Sequence, residues 1–568
     1  MTAAANQHPE NAVTNSDDEP IIERFPRERT QLLPLLLAVQ EHDGHLSESA
    51  LREIARHVYV PESDVFGVAT SYSELRFSPP DGRILAVCTG LSCLLAGARD
   101  LAPSLSAALP EGWSIDEHPC RFRCADAPVV AVDRRYVDGG TREAVLAAVA
   151  APGARPTWER TTRPPRNGEV RRLLARCGSI DPASIDDALA GGAYAGLRTA
   201  NTMEPAAIVR LVEEAGLLGR GGAYFPVASK WSGARAHPRP RYFVVNAEEG
   251  EPGVFKDRHL IEGDPHLLVE GIFIAARAIE ADAVYVYVNG EAALAAERLA
   301  AAIEQARSRG LLGDGAPAIE IRRGAGGYVC GEESVILSSI EGQRAVPRLR
   351  PPFPVEAGLF GRPTVINNVE TLCNLPFILR HGAAAFRSVG TAEHPGTKLV
   401  CLSGALRDPG VYEVPCGTPL RHIIDVIAGG PAPGRTIRAL LCGGPSGTLL
   451  PPGLWGAPLA PGQLDESGAS PGAGGIVAID DTMSIRDVVR HLTAYNADES
   501  CGKCTPCREG TARMRDLLDE FPAQAAERLD ELSEAVSAAS LCGLGQMAPL
   551  PYLSARRHFA AELQGDVP

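Results

Sequence analysis

The sequence predicts an α/β multidomain protein with helical segments towards both ends. Three observations predict it. The chain has 568 residues, enough for roughly three to five domains. Strand-like apolar runs that end at turn residues alternate with helical periodicity in two separate stretches. Two sets of four cysteines stand near opposite ends of the chain, so chemistry is distributed over more than one core.

The elements follow in order. Residues 1–22 are polar and acidic, and are expected to be disordered, without a signal peptide. Residues 23–150 open with helical stripes in QLLPLLLAVQ and ALREIARHVYV. They continue as a small α/β unit, with strands RILAVC and PVVAVD and the helix TREAVLAAVA. Residues 151–199 are expected to be a linker, starting at the Pro- and Arg-rich APGARPTWERTTRPPRNG. Residues 200–395 form a large α/β block with strands RYFVVNA and AVYVYV, each followed by a helix. Residues 396–480 are Gly/Pro-rich, contain the short strand KLVCLSG, and read as a compact β-rich spacer. Residues 481–568 are helical, and no internal repeat is present.

Composition narrows the function classes. With 55 basic and 70 acidic residues, the formal charge is −15, the opposite of a basic nucleic-acid footprint. The longest apolar run, Leu32 to Val39, falls short of the roughly 20 residues that a spanning helix needs. The expectation is a cytoplasmic protein without direct membrane insertion. Fourteen cysteines in such a chain point to metal or redox chemistry, not a disulfide framework.

Cys501, Cys504 and Cys507 stand at C-x2-C-x2-C in ESCGKCTPCREG, and Cys542 follows in LCGLGQ. One loop supplies three thiolates and a remote segment the fourth, the ligand set of a [4Fe–4S] cluster. A structural zinc is the alternative, although zinc favours two separated C-x2-C pairs. Cys88 and Cys93 in VCTGLSC, with Cys120 and Cys124 in HPCRFRC, suit a [2Fe–2S] rhomb with two ligands per iron. Four buried packing cysteines are the alternative there. Cys177, Cys330, Cys373, Cys401, Cys416 and Cys442 are assigned to packing.

The middle block carries four further motifs. In GLLGRGGAYFPVASKW, Gly219, Gly221 and Gly222 let backbone approach a ligand, and Arg220 and Lys230 can offer charge to phosphates. The loop departs from the ordinary dinucleotide fingerprint. In NAEEGEPGVFKDR, Asn246, Glu248, Glu249 and Glu251 sit at a strand's C-terminal end, the usual ligand edge of such sheets. A solvated acidic turn is the alternative. In GAGGYVCGEES, a Gly cluster leads to Glu332 and Glu333, which can open a helix. In PTVINNVETL, Asn367 and Asn368 follow a short strand and can read a ring edge or a phosphate. An Asn-rich turn is the alternative.

Together with PRLRPPFP, these motifs occur in order across about residues 200–550. The chain thereby resembles the flavin- and NADH-binding subunit shared by respiratory complex I, NAD-reducing hydrogenases and NAD-dependent molybdenum or tungsten formate dehydrogenases. Residues 27–150 resemble the small thioredoxin-like [2Fe–2S] subunit of the same complexes, here fused to it. The resemblance implies a helical segment with a thioredoxin-like [2Fe–2S] domain, an FMN/NADH-binding α/β domain, a β-grasp-like module and a C-terminal helical [4Fe–4S] domain. It implies FMN beside Gly219, Arg220, Gly221, Lys230, Asn246, Glu248 and Glu249, with Tyr328, Gly331, Glu332, Ile366, Asn367, Asn368 and Thr371 completing the pocket. NAD(H) would stack over the flavin, lined by Gly222, Phe225, Glu251, Glu333, Arg350 and Phe353. Arg350 stands where Lys is common, Glu248 where Asp is usual, and Gly233 where an aromatic is often found.

The resemblance further implies an NADH:acceptor oxidoreductase, or diaphorase, that passes electrons singly to iron–sulfur clusters within a hetero-oligomer. Its partner would carry Mo/W, or Ni–Fe, and further Fe–S clusters. A formate dehydrogenase is the preferred assembly. An NAD-reducing hydrogenase and an NADH-quinone oxidoreductase are the alternatives, and KDR after NAEEGEPGVF leans towards the last. An alternative of another class is a flavin-free electron-transfer scaffold.

Overall fold

The computed structural model describes residues 20–564 except 134, 138, 152–163, 314 and 522–523. The disorder expected for residues 1–19 lies outside the described residues. Ile21–Arg24 already forms a short 3-10 turn with Ile22 buried.

Helices Leu32–Asp43, Glu48–His57 and Glu62–Ala69 open the chain. Ser47 caps the second by accepting from Ala50 N. Their apolar faces do not form a core of their own. Leu32, Leu36, Ile54 and Val65 share one cluster with Val329, Val335, Cys507 and Leu544 from far down the chain. The amphipathic stripes therefore end as a roof over distant segments.

The next unit is a four-stranded sheet of β1 (Arg83–Cys88), β2 (Trp113–His118), β3 (Val130–Val132) and β4 (Arg135–Tyr136), in the order β2-β1-β3-β4. β1 runs parallel to β2 and antiparallel to β3. Helix Leu91–Leu95 leaves the end of β1 and packs Leu91 and Leu95 into the C-terminal helical core.

The large block is built on an all-parallel sheet of β5 (Tyr242–Ala247), β6 (Ala283–Val288), β7 (Ala318–Arg323) and β8 (Thr364–Asn368), in the order β7-β6-β5-β8. Covered parallel sheets need continuous apolar strands. Phe243, Val244 and Val245 are fully buried accordingly. The helix Pro265–Ile279 is apolar nearly all round and runs through the centre of the core. The chain steps outward from β5 to β7 and returns beside β5 as β8, so the direction of winding reverses between β5 and β8. That reversal opens a crevice at the strands' C-terminal ends.

Residues 170–199 are not a linker. Leu173, Leu174, Cys177, Tyr194 and Leu197 are buried in the core of the large block, and the segment includes the helix Ile185–Ala190. Buried Glu413 holds its start by accepting from the backbone N–H groups of Arg172, Leu173 and Leu174 at 2.8, 2.8 and 3.1 Å. Proline and arginine density marked the start of the segment, and carried no information about the contacts beyond it.

The third sheet comprises β9 (Thr397–Gly404), β10 (Gly410–Pro415), β11 (Ala439–Cys442), β12 (Thr448–Leu450) and β13 (Gly475–Ile479), in the order β10-β9-β13-β11-β12. The helical turn Leu420–Ile427 packs Leu420, Ile423 and Ile424 on one face of it. Helices Ile485–Asp498, Thr505–Glu520 and Ala525–Ala539 follow, and the shorter helices Gly543–Met547, Leu550–His558 and Ala560–Gln564 come after them. Among the described residues no helix is long and apolar enough to cross a membrane.

Candidate functional site

The crevice between β5 and β8 collects most of the predicted residues. Asn246 lies near the end of β5, and its amide donates to Gly331 O at 2.9 Å. The Gly-rich loop closes on itself through Gly219 N to Phe225 O at 2.9 Å. Gly222 sits at φ +120°, and a Cβ on Gly221 would lie 3.0 Å from the Cβ of Asn368. A Cβ on Gly331 would point into open space. The missing side chains keep the crevice open where backbone must meet a ligand.

Several predicted contacts are committed elsewhere. Arg220 is fully buried and donates to Thr397 O at 3.0 Å, Pro395 O at 2.7 Å and Leu218 O at 3.3 Å. Its charge is spent joining the large block to the third sheet, and only its backbone faces the crevice side, donating to Thr371 Oγ1 at 2.8 Å. Glu249 accepts from Asp257 N at 2.6 Å and Arg258 N at 2.9 Å. It thereby holds the first turn of helix Lys256–Gly263, where a carboxylate is favoured. Glu332 is the N-cap of helix Glu333–Ile340 and accepts from Ser334 N and Val335 N at 2.9 and 3.1 Å. Asn368 caps the helix Val369–Cys373 through Glu370 N at 3.0 Å. Asn367 accepts from Trp231 Nε1 at 2.9 Å. These asparagines shape the crevice floor through the elements that they anchor.

Beneath Asn368 lies a buried charge network that sequence reasoning missed. Lys256 contacts Asp257 at 2.8 Å and Glu370 at 3.0 Å, and Lys398 contacts Glu370 at 2.5 Å. Asn368 Nδ2 donates to Asp257 Oδ2 at 2.6 Å. Two cations and two carboxylates satisfy one another, as buried charges must. KDR and NNVETL contain three of the four residues. Lys398 begins an ordinary-looking strand and carries no signal in sequence.

Two acids that follow β5 have pKa values raised by burial. Glu248 is fully buried, and only its Oε1 has a partner, Asn289 Nδ2 at 3.1 Å. Burial, with Glu74 nearby, pushes its pKa well above the usual carboxylate range. Burial likewise raises Glu251 to about 8. The third sheet reaches this point, because a Cβ on Gly444 would lie 2.0 Å from Glu251 Oε1. Tyr224 donates to Gly472 O at 3.0 Å. The β-rich module is therefore a wall of the site and not a spacer.

The mouth carries ion pairs and aromatic rings. Lys230 Nζ donates to Glu333 at 3.0 Å and to Ile366 O at 3.2 Å. Arg350 pairs with Glu332, and with Glu333 at 3.1 Å. Phe225 and Phe353 remain 54% and 50% exposed, unusual for large apolar rings. A Cβ on Gly233 would touch Val355 at 3.5 Å, so this departure from the family pattern sits against a packed neighbour.

Both cysteine sets gather. Cys501, Cys504, Cys507 and Cys542 line one cavity with Val329, Pro347, Ser500 and Leu544. Burial pushes Cys542 up to about 11 and raises Cys501 and Cys507, so only a bound positive centre would ionise them. Among the described residues no group of three or more ligating side chains is drawn together as for a single ion. Four sulfurs around one cavity are the ligand number of a [4Fe–4S] cluster. In the other set, Cys88 ends β1, Cys93 lies in helix Leu91–Leu95, and Cys120 and Cys124 stand with sulfurs 3.7 Å apart. That is the edge of a tetrahedron with metal–sulfur bonds of about 2.3 Å. Contacts from the Cys120 and Cys93 thiols push Cys88 well below the usual thiol range. The remaining six cysteines are buried, as packing requires.

The two cysteine sites and the crevice meet at one turn. Tyr328 packs edge-on against Tyr495, ring centroids 6.2 Å apart, and Tyr495 lines the cavity beside Cys120 and Cys124. Val329, the next residue, lines the other cavity. The [2Fe–2S]-type unit is docked by Arg121–Glu291 at 2.5 Å and by Arg258 over the Phe122 ring at 4.6 Å.

Comparison with known proteins agrees with this geometry. Family models match at residues 19–151 (thioredoxin-like [2Fe-2S] ferredoxin), 212–377 (Nuo51 FMN-binding domain) and 487–565 (NADH-ubiquinone oxidoreductase-F iron-sulfur binding region). The F 2 subunit of NADH-quinone oxidoreductase from Rhizobium meliloti (strain 1021) is 44% identical over 386 residues, covering 66% of this chain and 92% of that protein. The HndC subunit of the NADP-reducing hydrogenase of Solidesulfovibrio fructosivorans is 41% identical over 411 residues, covering 70% of this chain and 84% of that protein. A crystal structure of an NAD+-reducing [NiFe]-hydrogenase in the H2-reduced state superposes with a TM-score of 0.83 at 33% identity, covering 95% of this chain and 94% of that chain. The chain therefore belongs to the family of NAD(H)-dependent flavin iron–sulfur oxidoreductase subunits that includes the F-type subunits of NADH-quinone oxidoreductases, with a thioredoxin-like [2Fe–2S] domain in the same chain.

Proposed function

We propose that this chain is the diaphorase subunit of a multisubunit complex, exchanging hydride with NAD(H) at the β5/β8 crevice and single electrons with two clusters. The observation that carries the reading is the turn at Tyr328–Val329, where the crevice wall touches both cysteine cavities. Bound FMN supplies conversion between two-electron hydride transfer and one-electron steps.

The chain's own residues do the rest. Gly219, Gly221, Asn246, Gly331, Ile366, Asn367, Asn368 and Thr371 form the bed for the flavin, several of them through the helices they cap. Lys230, Glu333 and Arg350 form a charge ladder at the mouth, poised for the nucleotide's phosphates and hydroxyls. Phe225 and Phe353 offer faces for stacking. Glu251 retains its proton to about pH 8, which keeps negative charge away from an anionic dinucleotide. Cys501, Cys504, Cys507 and Cys542 hold the [4Fe–4S] cluster, and Cys88, Cys93, Cys120 and Cys124 the [2Fe–2S].

For the partner, we propose a Mo- or W-bearing protein that oxidises formate. Fusion of the two modules in one chain supports it, together with two cysteine sets that supply the ligands of two clusters. A second reading, H2 oxidation at Ni–Fe, is favoured by the end-to-end superposition on the hydrogenase chain. Anaerobic purification of the tagged complex, with metal analysis and assays of formate- and H2-dependent NAD+ reduction, decides. Formate activity with Mo or W supports the first reading. H2 activity with Ni replaces it with the second. A purified complex without flavin that cannot oxidise NADH overturns the diaphorase assignment.

A further inference from the structure

The helix Ile485–Asp498 does more than precede the Cys501 loop. Val488, Val489 and Leu492 pack in one core with Leu91 and Leu95, which flank Cys93 on the helix following β1. Ser92 is fastened to Ser403 at 2.9 Å on the other side. The C-terminal domain is thus clamped directly onto the loop that carries Cys88 and Cys93. On this clamped face His491 lines a cavity together with Gly90, Ser92, Cys120 and Cys124, and its ring lies within the field of Cys88. Among the described residues no hydrogen bond holds the ring of His491, which is half-buried. An imidazole N–H is a hydrogen-bond donor, and the cavity that this ring lines is bordered by sulfur.

We infer that His491 is a further contact of the [2Fe–2S] site, donating its imidazole N–H to a sulfur of the cluster and so raising its reduction potential from within the C-terminal domain. The inference rests on the reading that the Cys88 set holds that cluster. Hydrogen bonds to cluster sulfurs favour the reduced, more negative state. The site already has backbone donors of this kind. Phe122 N donates to Cys120 Sγ at 3.2 Å, and Gly90 and Arg121 donate backbone N–H to Cys88. His491 differs because it is a side chain from a distant part of the chain. Through it, the docking of the two domains sets how readily the [2Fe–2S] centre takes an electron.

The test compares His491→Gln, which retains an N–H donor, with His491→Met, of similar length without one. Both are made in the full chain within its complex and titrated anaerobically by EPR. The Met variant should show a [2Fe–2S] centre about tenfold harder to reduce, about 59 mV for one electron, with shifted g-values. The Gln variant should stay near the wild type, and flavin content and the [4Fe–4S] signal should be unchanged in both. Equal shifts in the two variants, no shift in either, or loss of the cluster from both would overturn the inference. A wild-type complex lacking a [2Fe–2S] signal would instead overturn the cluster reading beneath it, and Cys88→Ala should remove that signal if the reading holds.

Discussion

Glu251 is the residue whose chemistry is most exposed to test. Its ordinary pKa of 4.5 is raised to about 8 by burial. The unfolded chain gives up this proton near the ordinary value, while the folded protein keeps it. Its contribution to stability is therefore full below about pH 4.5 and falls as pH rises towards 8. The functional consequence follows the same sign. Above about pH 8 the carboxylate is charged, and with Glu251 in its proposed place beside the nucleotide the KM for NADH should rise through that pH. A Glu251→Gln variant should flatten the profile. An unaltered rise in the variant would remove Glu251 from the nucleotide site. Arg350 offers a second test. Its guanidinium is pre-aimed by Glu332 and by Glu333 at 3.1 Å, and it is partly solvent-exposed. Arg350→Ala should raise the KM for NADH about tenfold with kcat little changed, the mark of lost ground-state binding. Unchanged KM would mean that the pair is only structural.

Among the elements, the segment after residue 169 is tied down by one side chain. Glu413 on β10 accepts from three backbone N–H groups of Arg172–Leu174 and from Thr397 Oγ1 at 2.6 Å. Glu413→Ala would leave several buried donors without an acceptor, at about 1–3 kcal/mol each. Thermal unfolding should show a clearly lower Tm, and a variant with the wild-type Tm would contradict the tie. The Gly-rich loop 324–327 shows the same dependence on a distant partner. Gly326 lies at φ +81°, and a Cβ there would meet Glu74 at 2.8 Å. The loop's tightness is thus dictated by the N-terminal helices packed on it, not by a local turn alone.

For the whole molecule, the arrangement predicts that electron entry and exit are separable. Cys504 lines the cavity on the C-terminal helices and is not among the residues proposed to hold NADH or flavin. In a Cys504→Ala complex, NADH should still bleach the flavin while transfer to the partner's terminal acceptor is lost. Retained transfer at the wild-type rate would show that electrons leave by another route. The roof of Leu32, Ile54 and Val65 over Cys507 and Leu544 ties the N-terminal helices to the Cys507 cavity. The [2Fe–2S] domain is pinned to the large block by Arg121–Glu291.

The chemistry was largely legible in sequence because it is local. Thiol ligands at short spacings, glycines that keep a crevice open and carboxylates at a strand's end carry their signal within a few residues of one another. The α/β character of the large block was legible too, since RYFVVNA and AVYVYV read as strands that are each followed by a helix. What only the tertiary structure decided was which charges are free to act. Arg220 and Glu249 look like ligand contacts in their motifs, yet one is consumed by three backbone carbonyls and the other by a helix N-terminus. Lys398 and His491 look ordinary, yet they are brought to the buried charge network and to the [2Fe–2S] cavity from far along the chain. The physical reason is that residue type and spacing specify what a side chain can bond. Its actual partner is set by long-range packing, which buries some charges against backbone and turns others towards the site.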